Sequence, residues 1–435
     1  MKDLFKKMFG MRPKSTVHER KFQSYATQPI SSNYLSVTPE RALRYYETVA
    51  PVNTAVSMIA GEASAMDLAV MSSDGEDLIY DHPVLDLLKT PNADTVQEEF
   101  LKQISVFFQS TGNAFVLATG PVNRPPLELY AVNPTAVELV KGKDGYTDIM
   151  KVYGDQGVVS SFTRKEVDGR FRFFDREDAE LWHIKDFHPG YGRGQLWGLS
   201  QLTCISVEIE QYIEASIHNL SLLKRGARPS GAVKVNEMLT DEQYQRLQQQ
   251  LERFYSGSTN AGRSMILEGG DFVQMSQTNR DMDFATLKSE ITKTIYAALG
   301  VPIALVTTEA STFNNLETAK LMFYDNAVLP LIDRILDELT AFLMIRFDRT
   351  GTLRLVYDVS TVEALEPRRN EEIQKLQAAG VLTINEIRKQ MGFDPLKGGD
   401  TIYINSSLMP LEDGGLDASR DEVANLLARE AKPKE

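Results

Sequence analysis

The sequence predicts an α+β chain assembled from several subdomains. Its 435 residues are too many for one simple core and suit two or three packing units. Strand candidates separated by Gly, Pro, Asn and Asp turns crowd into residues 112–187. On either side of that block apolar residues recur at helical spacing instead. With 42% hydrophobic and 25% charged residues, there is ample apolar material for a core, which rules out wholesale disorder.

Residues 1–38 read as a flexible arm. Met1 to Lys21 carries seven Lys/Arg against two Asp/Glu and lacks the continuous apolar run of a secretory signal. Such an arm touches DNA or an acidic partner, or is simply a solvated tail. Thr38 and Pro39 form the N-cap and first position of a helix expected to reach Ala65. A strand over Asp67–Ser72 follows, then amphipathic helices over His82–Leu88 and Val96–Ser110. The second of these sets Phe100, Ile104, Phe107 and Phe108 at helical spacing. The β-rich block holds strand candidates at Asn113–Thr119, Leu127–Val132, Ala136–Val140, Met150–Tyr153, Val158–Thr163, Arg170–Phe174 and Ala179–Ile184. Asp144-Gly145 and Asp168-Gly169 suit its hairpins.

From Gln201 to Gly226 apolar residues at 202, 205, 209, 212, 213, 217, 220 and 223 make one helical stripe. At 1.5 Å per residue that helix is roughly 35–40 Å long. A β-α-β insert follows: a strand over Ala232–Val235, a helix capped by Thr240 with Gln243 three residues on, and strands Met265–Glu268 and Phe272–Met275 joined at Gly269-Gly270. A second long helix runs from about Asp283 to Leu299, stopped by Gly300 and Pro302. After a polar loop, Thr307 to Asn315, a third long helix over Leu316–Arg346 carries Pro330, which should kink it. A strand over Leu353–Asp358 and helices over Glu366–Ala379, Thr383–Met391 and Ala418–Glu430 complete the chain, with no internal repeat.

The signatures of catalysis fail in turn. The sequence has no G-x-x-x-x-G-K-[ST] loop, no H-E-x-x-H and no G-x-S-x-G elbow. Its five histidines (His18, His82, His183, His188, His218) lack metal-ligand spacing relative to one another or to Cys204, so no metal and no cofactor are expected. Gly190-Tyr191-Gly192-Arg193-Gly194 misses both dinucleotide and P-loop spacing and reads as a hinge. Cys204 alone forms no internal disulfide and reads as a small buried hydrophobe, in keeping with a reducing compartment. No apolar run approaches the ~20 residues of a membrane span. A formal net charge of −13 argues against gripping DNA over a broad surface, though not against letting DNA pass.

Several segments, in order, carry a family resemblance. They are Val52-Asn53-Thr54-Ala55-Val56 with Ile59-Ala60, His82-Pro83-Val84-Leu85 with Leu88 and Pro91-Asn92, and Thr111-Gly112-Asn113-Ala114-Phe115. Further on come Gly198-Leu199-Ser200, Arg225-Gly226-Ala227-Arg228-Pro229-Ser230-Gly231, Gly300-Val301-Pro302, Phe313-Asn314-Asn315-Leu316-Glu317 and Leu329-Pro330. From about residue 45 to 402 the chain resembles the portal proteins of tailed double-stranded DNA phages, in the siphovirus, prophage and gene-transfer-agent branch. The Gly-rich approach with Trp197 before Gly198 departs from that pattern.

The resemblance implies a portal-type subunit that forms a dodecameric ring. Residues 1–38 would be the arm, 39–200 a β-rich wing, 201–227 and 277–304 a two-helix stem, and 228–276 a small α/β clip. Residues 305–316 would be a tunnel loop, 317–364 a long kinked helix and strand returning to the wing, and 365–435 a helical crown. The implied function is a non-enzymatic DNA channel at the capsid vertex of the virion, assembled in the host cytoplasm. Implied partners are double-stranded DNA, the terminase large subunit, a head-completion adaptor and the major capsid or scaffold protein. Channel candidates are Thr307, Thr308, Glu309, Ser311, Thr312 and Asn314. Lys224, Arg225 and Arg228 form a basic cluster at the stem-to-clip exit, facing phosphate or a neighbouring subunit's acids. Another ring-forming head-tail connector, a DNA-processing enzyme and a membrane-surface protein are the competing readings.

Overall fold

Thr38 caps the first helix by accepting the Arg41 N–H, and Pro39 occupies the first turn, where its missing donor costs nothing. The computed structural model describes residues 37–72, 78–121, 124–167, 170–175, 179–190, 196–224, 231–235, 240, 242–243, 245–246, 249, 270–274, 280–307, 313–348, 350–378, 382–390 and 394–400. Where the sequence suggested one helix there are two, α1 (Pro39–Thr48) and α2 (Ala50–Ser64), parted at an extended Val49. Pro51 explains the break. In an uninterrupted helix its ring would meet the Glu47 carbonyl, whereas the break places it in the first turn of α2. The described residues divide into two compact units, one drawn from Met1–Ser64 and Leu87–Ile303, the other from Ala65–Asp86 and Ala304–Glu435.

The first unit contains a seven-stranded antiparallel sheet. Helix α4 (Gln97–Thr111) follows β1 (Leu68–Ser72), β2 (Leu78–Ile79) and α3 (Pro83–Lys89) in sequence and leads into this sheet. Its strands are β3 (Asn113–Thr119), β4 (Glu128–Val132), β5 (Val137–Lys141), β6 (Thr147–Gly154), β7 (Gly157–Val167), β8 (Arg170–Phe174) and β9 (Glu180–Lys185). The order β4-β3-β9-β8-β7-β6-β5 puts two sequence neighbours, β4 and β5, at opposite edges. A flat sheet of seven strands would separate them by roughly 29 Å. The five residue steps from Val132 to Val137 reach about 17 Å at most. The sheet therefore curls, and Phe115, Val137, Leu139, Met150, Phe162 and Leu181 meet in one core cluster. Strands β6 and β7 outrun their sequence-based bounds, because hairpin pairing continues where the side chains are already exposed, as at Lys165 and Glu166.

An ion pair is buried in this unit. Arg172 on β8 donates from Nε and Nη2 to the two carboxylate oxygens of Glu180 on β9, with side chains 6% and 0% exposed. Removing one partner strands the other charge in a dry site. Glu180→Ala is expected to cost about 3–5 kcal/mol of unfolding free energy, read by denaturant titration. Replacing both residues with apolar ones should cost much less.

In the second unit β1 pairs on one side with β2 and on the other with β12 (Leu353–Tyr357), both antiparallel, with Leu68 opposite Tyr357 and Ser72 opposite Leu353. Side chains occupy two amides of β12. The Leu353 N–H donates to Asp348 Oδ2 at 3.1 Å and the Leu355 N–H to Thr340 Oγ1 at 3.0 Å. An edge strand protected in this way offers fewer groups to stray strands. Asp348 accepts from Thr350, Thr352 and Leu353 together, and these hydrogen bonds hold its carboxyl down at about 2.

The expected kink at Pro330 takes a different form. Helix α7 (Phe313–Phe323) passes through a π turn (Tyr324–Val328) into α8 (Leu329–Leu339), and a second π turn (Thr340–Met344) leads to α9 (Ile345–Phe347). The Leu329 N–H reaches back to the Tyr324 carbonyl, five residues away. The wider turn lies just before the proline and makes room for a ring that would crowd the carbonyl four residues earlier in a regular helix. Helices α10 (Glu366–Ala378) and α11 (Ile384–Gln390) follow, the latter opened by reciprocal hydrogen bonds between Thr383 and Glu386. The helix expected over Ala418–Glu430, the turn Asp168-Gly169 and most of the glycine run (191–194) lie outside the described residues.

Candidate functional site

Two long helices bracket a small two-stranded sheet in the sequence. Helix α5 (Ser206–Lys224) starts five residues later than its apolar stripe suggested. Ser200 accepts the Leu202 N–H at 3.1 Å, and Thr203 bonds back to the Ser200 carbonyl, closing a tight turn over Gln201–Thr203 before α5 begins. Cys204 sits just past that turn and is exposed, correcting its expected burial; a helical stripe that begins at 206 no longer turns this position inward. Helix α6 (Arg280–Ala298) ends as the sequence indicated. Gly300, at φ 76°, donates to Ala297 O, and Val301 donates to Tyr296 O, the paired bonds of a Schellman motif.

Between the helices in sequence, β10 (Gly231–Val235) and β11 (Gly270–Gln274) pair antiparallel, with Gly231 opposite Gln274. Gly270 therefore lies in a strand and not in a turn, because its N–H and carbonyl are opposite Val235 in the ladder. The expected strand Met265–Glu268 lies outside the described residues. Thr240 and Gln243 form the reciprocal capping box, 2.9 Å from the Thr240 N–H to Gln243 Oε1 and 3.4 Å in return.

Helices α5 and α6 bury Ile209 and Ala215 on one and Ile291 and Ile295 on the other. The Lys288 ammonium lies 4.6 Å from the Tyr212 ring centre, a cation–π contact across the pair. An apolar remainder stays uncovered: Ile217 and Leu220 are each 51% exposed and Leu287 is 43% exposed. Ile213, Ile217 and Leu220 fall on one helical face at i, i+4 and i+7.

The sequence-derived channel candidates are only partly placed. Thr307 is exposed just beyond the turn Ile303–Leu305. Thr308, Glu309, Ser311 and Thr312 lie outside the described residues. Asn314 is corrected from loop to helix. Helix α7 begins at Phe313, three residues ahead of the expected start at Leu316, so Asn314 falls in its first turn. In the basic cluster, Lys224 is the last residue of α5, while Arg225 and Arg228 lie outside the described residues.

A junction that sequence reasoning did not assign links the α4–β3 corner to the segment leading into α5. Gly112, at φ 71°, caps α4 and accepts the Asp186 N–H at 2.9 Å. Asn113 Oδ1 accepts the Gly198 N–H at 2.7 Å and lies 3.0 Å from His183 Nε2. Its amide donates to the Thr111 carbonyl at 2.7 Å, so its oxygen is the acceptor and His183 must carry the Nε2 proton. The His183 ring stacks on Phe115 at 4.3 Å and meets Trp197 edge-on at 6.2 Å. The only sequence signals were Gly112-Asn113 and Gly198-Leu199-Ser200, read as motif text and not as two halves of one contact.

Burial, with the Lys185 charge nearby, pulls His183 down to about 3, so the fold holds the neutral ring. An unfolded histidine protonates near pH 6.5. Between those values the unfolded chain binds the extra proton. This contribution to stability is complete above pH 6.5 and is lost as the pH falls toward 3, at up to about 1.4 kcal/mol per unit. His183→Gln should flatten that share of the dependence, measured as the difference from wild type in denaturant stability at pH 7 and pH 5.

Helices α1 and α5 also form a cleft of about 740 Å³ lined by Thr38, Arg41, Tyr45, Glu210, Ile213 and Ile217 among others. At its base Arg41 and Tyr45 each donate to Glu210 Oε1 at 2.6 Å. Burial raises the Tyr45 phenol and the Glu210 hydrogen bond adds to it. For Glu210 burial also acts upward, but the bonds from Tyr45 and Arg41 outweigh it and leave the carboxylate below its ordinary value. Among the described residues no cluster of three His, Cys, Asp or Glu could hold a metal ion, and no helix is long and apolar enough to cross a membrane.

The chain matches the phage portal protein family over residues 50–392. An uncharacterized protein of Rickettsia bellii (strain RML369-C) is 31% identical over 357 residues, covering 80% of this chain and 87% of that protein. The portal protein of Enterobacteria phage HK97 is 22% identical over 408 residues, 90% of each chain. A solved chain from the neck of a native gene transfer agent particle, a structure with C12 symmetry, superposes with a TM-score of 0.55 at 28% identity, covering 82% of this chain and 95% of that one.

Proposed function

The chain belongs to the phage portal protein family, and from that premise we propose how its segments build a portal ring at the capsid vertex. The observation that carries the reading is the uncovered apolar face of the α5–α6 pair. Leu220 and Leu287 are exposed on helices that have already used their other face on each other. A closed ring covers such a face with the neighbouring copy, and the C12 neck of the gene transfer agent suggests twelve copies.

In this reading residues 39–200 are the wing, α5 and α6 the stem, 228–276 with the β10–β11 pair the clip, and 317–364 the return to the wing. The crown takes 365–435. The clip receives the terminase large subunit during packaging and a head-completion adaptor afterwards, and the wing faces capsid or scaffold protein. Thr307, Thr308, Glu309, Ser311 and Thr312 reach into the channel, with Asn314 following in the first turn of α7. Short polar side chains there suit a wall that DNA slides past without locking. Lys224, Arg225 and Arg228 pair with acids of the neighbouring subunit in preference to phosphate. A net charge of −13 favours passage of DNA over retention. Energy from ATP belongs to the partner, since the sequence has no nucleotide loop. The host cytoplasm is where assembly takes place.

Negative-stain electron microscopy with native mass spectrometry tests this. Rings with a central hole and a mass of twelve subunits are the expected result. A chain that stays monomeric even with capsid or scaffold protein present would overturn it.

A further inference from the structure

The cleft between α1 and α5 is open, and at its floor the buried Tyr45 meets Arg41 and Glu210, each a quarter exposed. The charges at its base are already paired, Arg41 and Tyr45 each donating to Glu210 Oε1. What remains is an apolar wall, Ile213 and the half-exposed Ile217, flanked by the rings of Tyr45 and Tyr212. A cleft of about 740 Å³ has the size of pockets that enclose several side chains. Its internal neutrality asks for an occupant that brings apolar groups and no charge.

The chain carries such a segment next to the cleft. Thr38 lines the cleft and is also where the preceding 36-plus residues join, as residues 1–36 lie outside the described ones. That stretch has two halves of opposite character. Met1–Lys21 is basic, whereas residues 22–36 contain no Asp, Glu, Lys, Arg or His and include Phe22, Tyr25, Ile30, Tyr34 and Leu35. In a chain with 25% charged residues, fifteen in a row without one marks a segment suited to contact and not to solvent.

Reach permits the contact. Tyr34 is four residues from Thr38, about 14 Å of extended chain, and Ile217 is seven residues along α5 from Glu210, about 10 Å of helix. We propose that residues 22–36 of the same chain fold back into the α1–α5 cleft, seating Tyr34 and Leu35 against Ile213 and Ile217. The tyrosine keeps its hydroxyl at the rim, near Glu40 and Arg44, while its ring is covered. This strap fixes where the basic stretch Met1–Lys21 emerges, beside the start of α5. It needs only one chain and so does not rest on ring formation.

Disulfide trapping tests the contact in the full-length chain. Cys204, which is exposed, is first replaced by serine. Tyr34→Cys with Ile217→Cys should cross-link within one chain under mild oxidation, at least tenfold faster than Tyr34→Cys with Lys165→Cys on β7. As a second readout, Ile213→Cys should react with a soluble maleimide at least fivefold faster when Tyr34→Ser and Leu35→Ser are also present. Cross-links between chains would assign the cleft to a second copy and overturn the proposal while leaving the portal reading intact. Equal rates for the two cysteine pairs, or labelling unchanged by the serine substitutions, would overturn it as well.

Discussion

Gly198→Ala is expected to destabilise the protein by roughly 3 kcal/mol or more. A Cβ at this position would lie 2.0 Å from the Gly112 carbonyl oxygen and 2.6 Å from the Asp186 nitrogen. Both neighbours are backbone, and both are engaged: Asp186 N–H donates to Gly112 O at 2.9 Å, and the Gly198 N–H donates to Asn113 Oδ1 at 2.7 Å. No side chain can swing aside to admit the methyl group, so either the two strands of backbone part or the hydrogen bonds break. Gly112→Ala should be comparably harmful, since its Cβ would stand 2.3 Å from the Leu199 oxygen and its φ of 71° disfavours alanine. Gly61 in α2 supplies the control. Nothing lies within 4 Å of its added Cβ, and Gly61→Ala should be neutral or stabilise by about 0.5–1 kcal/mol. Denaturant midpoints for the three variants check the ranking; a mild Gly198→Ala would mean that the junction is looser than its geometry.

Leu220→Asp with Leu287→Asp is expected to separate assembly from folding. Both side chains are substantially exposed in the single chain, at 51% and 43%, so the monomer should lose little stability, within about 0.5 kcal/mol at each site. In the proposed ring the same positions meet a neighbour. A buried unpaired carboxylate at a hot-spot position costs about 2–4 kcal/mol per interface, and a closed ring repeats that cost at every interface. Native mass spectrometry should show the double variant shifted from rings to monomers, with an unchanged circular dichroism spectrum. Rings that persist would place the subunit contact elsewhere on the chain.

Much of the fold was legible in order along the chain. Thr38-Pro39 marked the start of α1, and Gly300 with Pro302 marked the end of α6, because caps and stops are local chemistry written in one or two residues. The Thr240–Gln243 box was readable for the same reason. The seven strands of the curled sheet appeared in sequence, each within a few residues of its bounds. Errors fell where a local pattern was overridden by a neighbour. Val49 breaks a continuous apolar stripe because Pro51 cannot sit in a helix interior. Helix α5 starts late because Ser200 binds the Leu202 amide, which leaves Cys204 on the surface. Asn314 joined α7, which begins at Phe313, ahead of the apolar position Leu316 from which the helical spacing was counted.

The sequence by itself determined the helical and strand content, the order of the long helices around a small insert, the absence of nucleotide-binding and protease motifs, and the family. Each of these is encoded in residues close together or in motifs met in series. Only the tertiary structure decided that Gly112 and Gly198 touch across 86 residues, that His183 shares the Asn113 oxygen with Gly198, and that Glu210 is held by Arg41 and Tyr45. It also decided which apolar residues of the α5 stripe are spent inside the chain and which, Ile217 and Leu220, remain outside. A periodic stripe tells that a face is apolar; what covers that face is a matter of three-dimensional neighbours, and no spacing along one helix contains it.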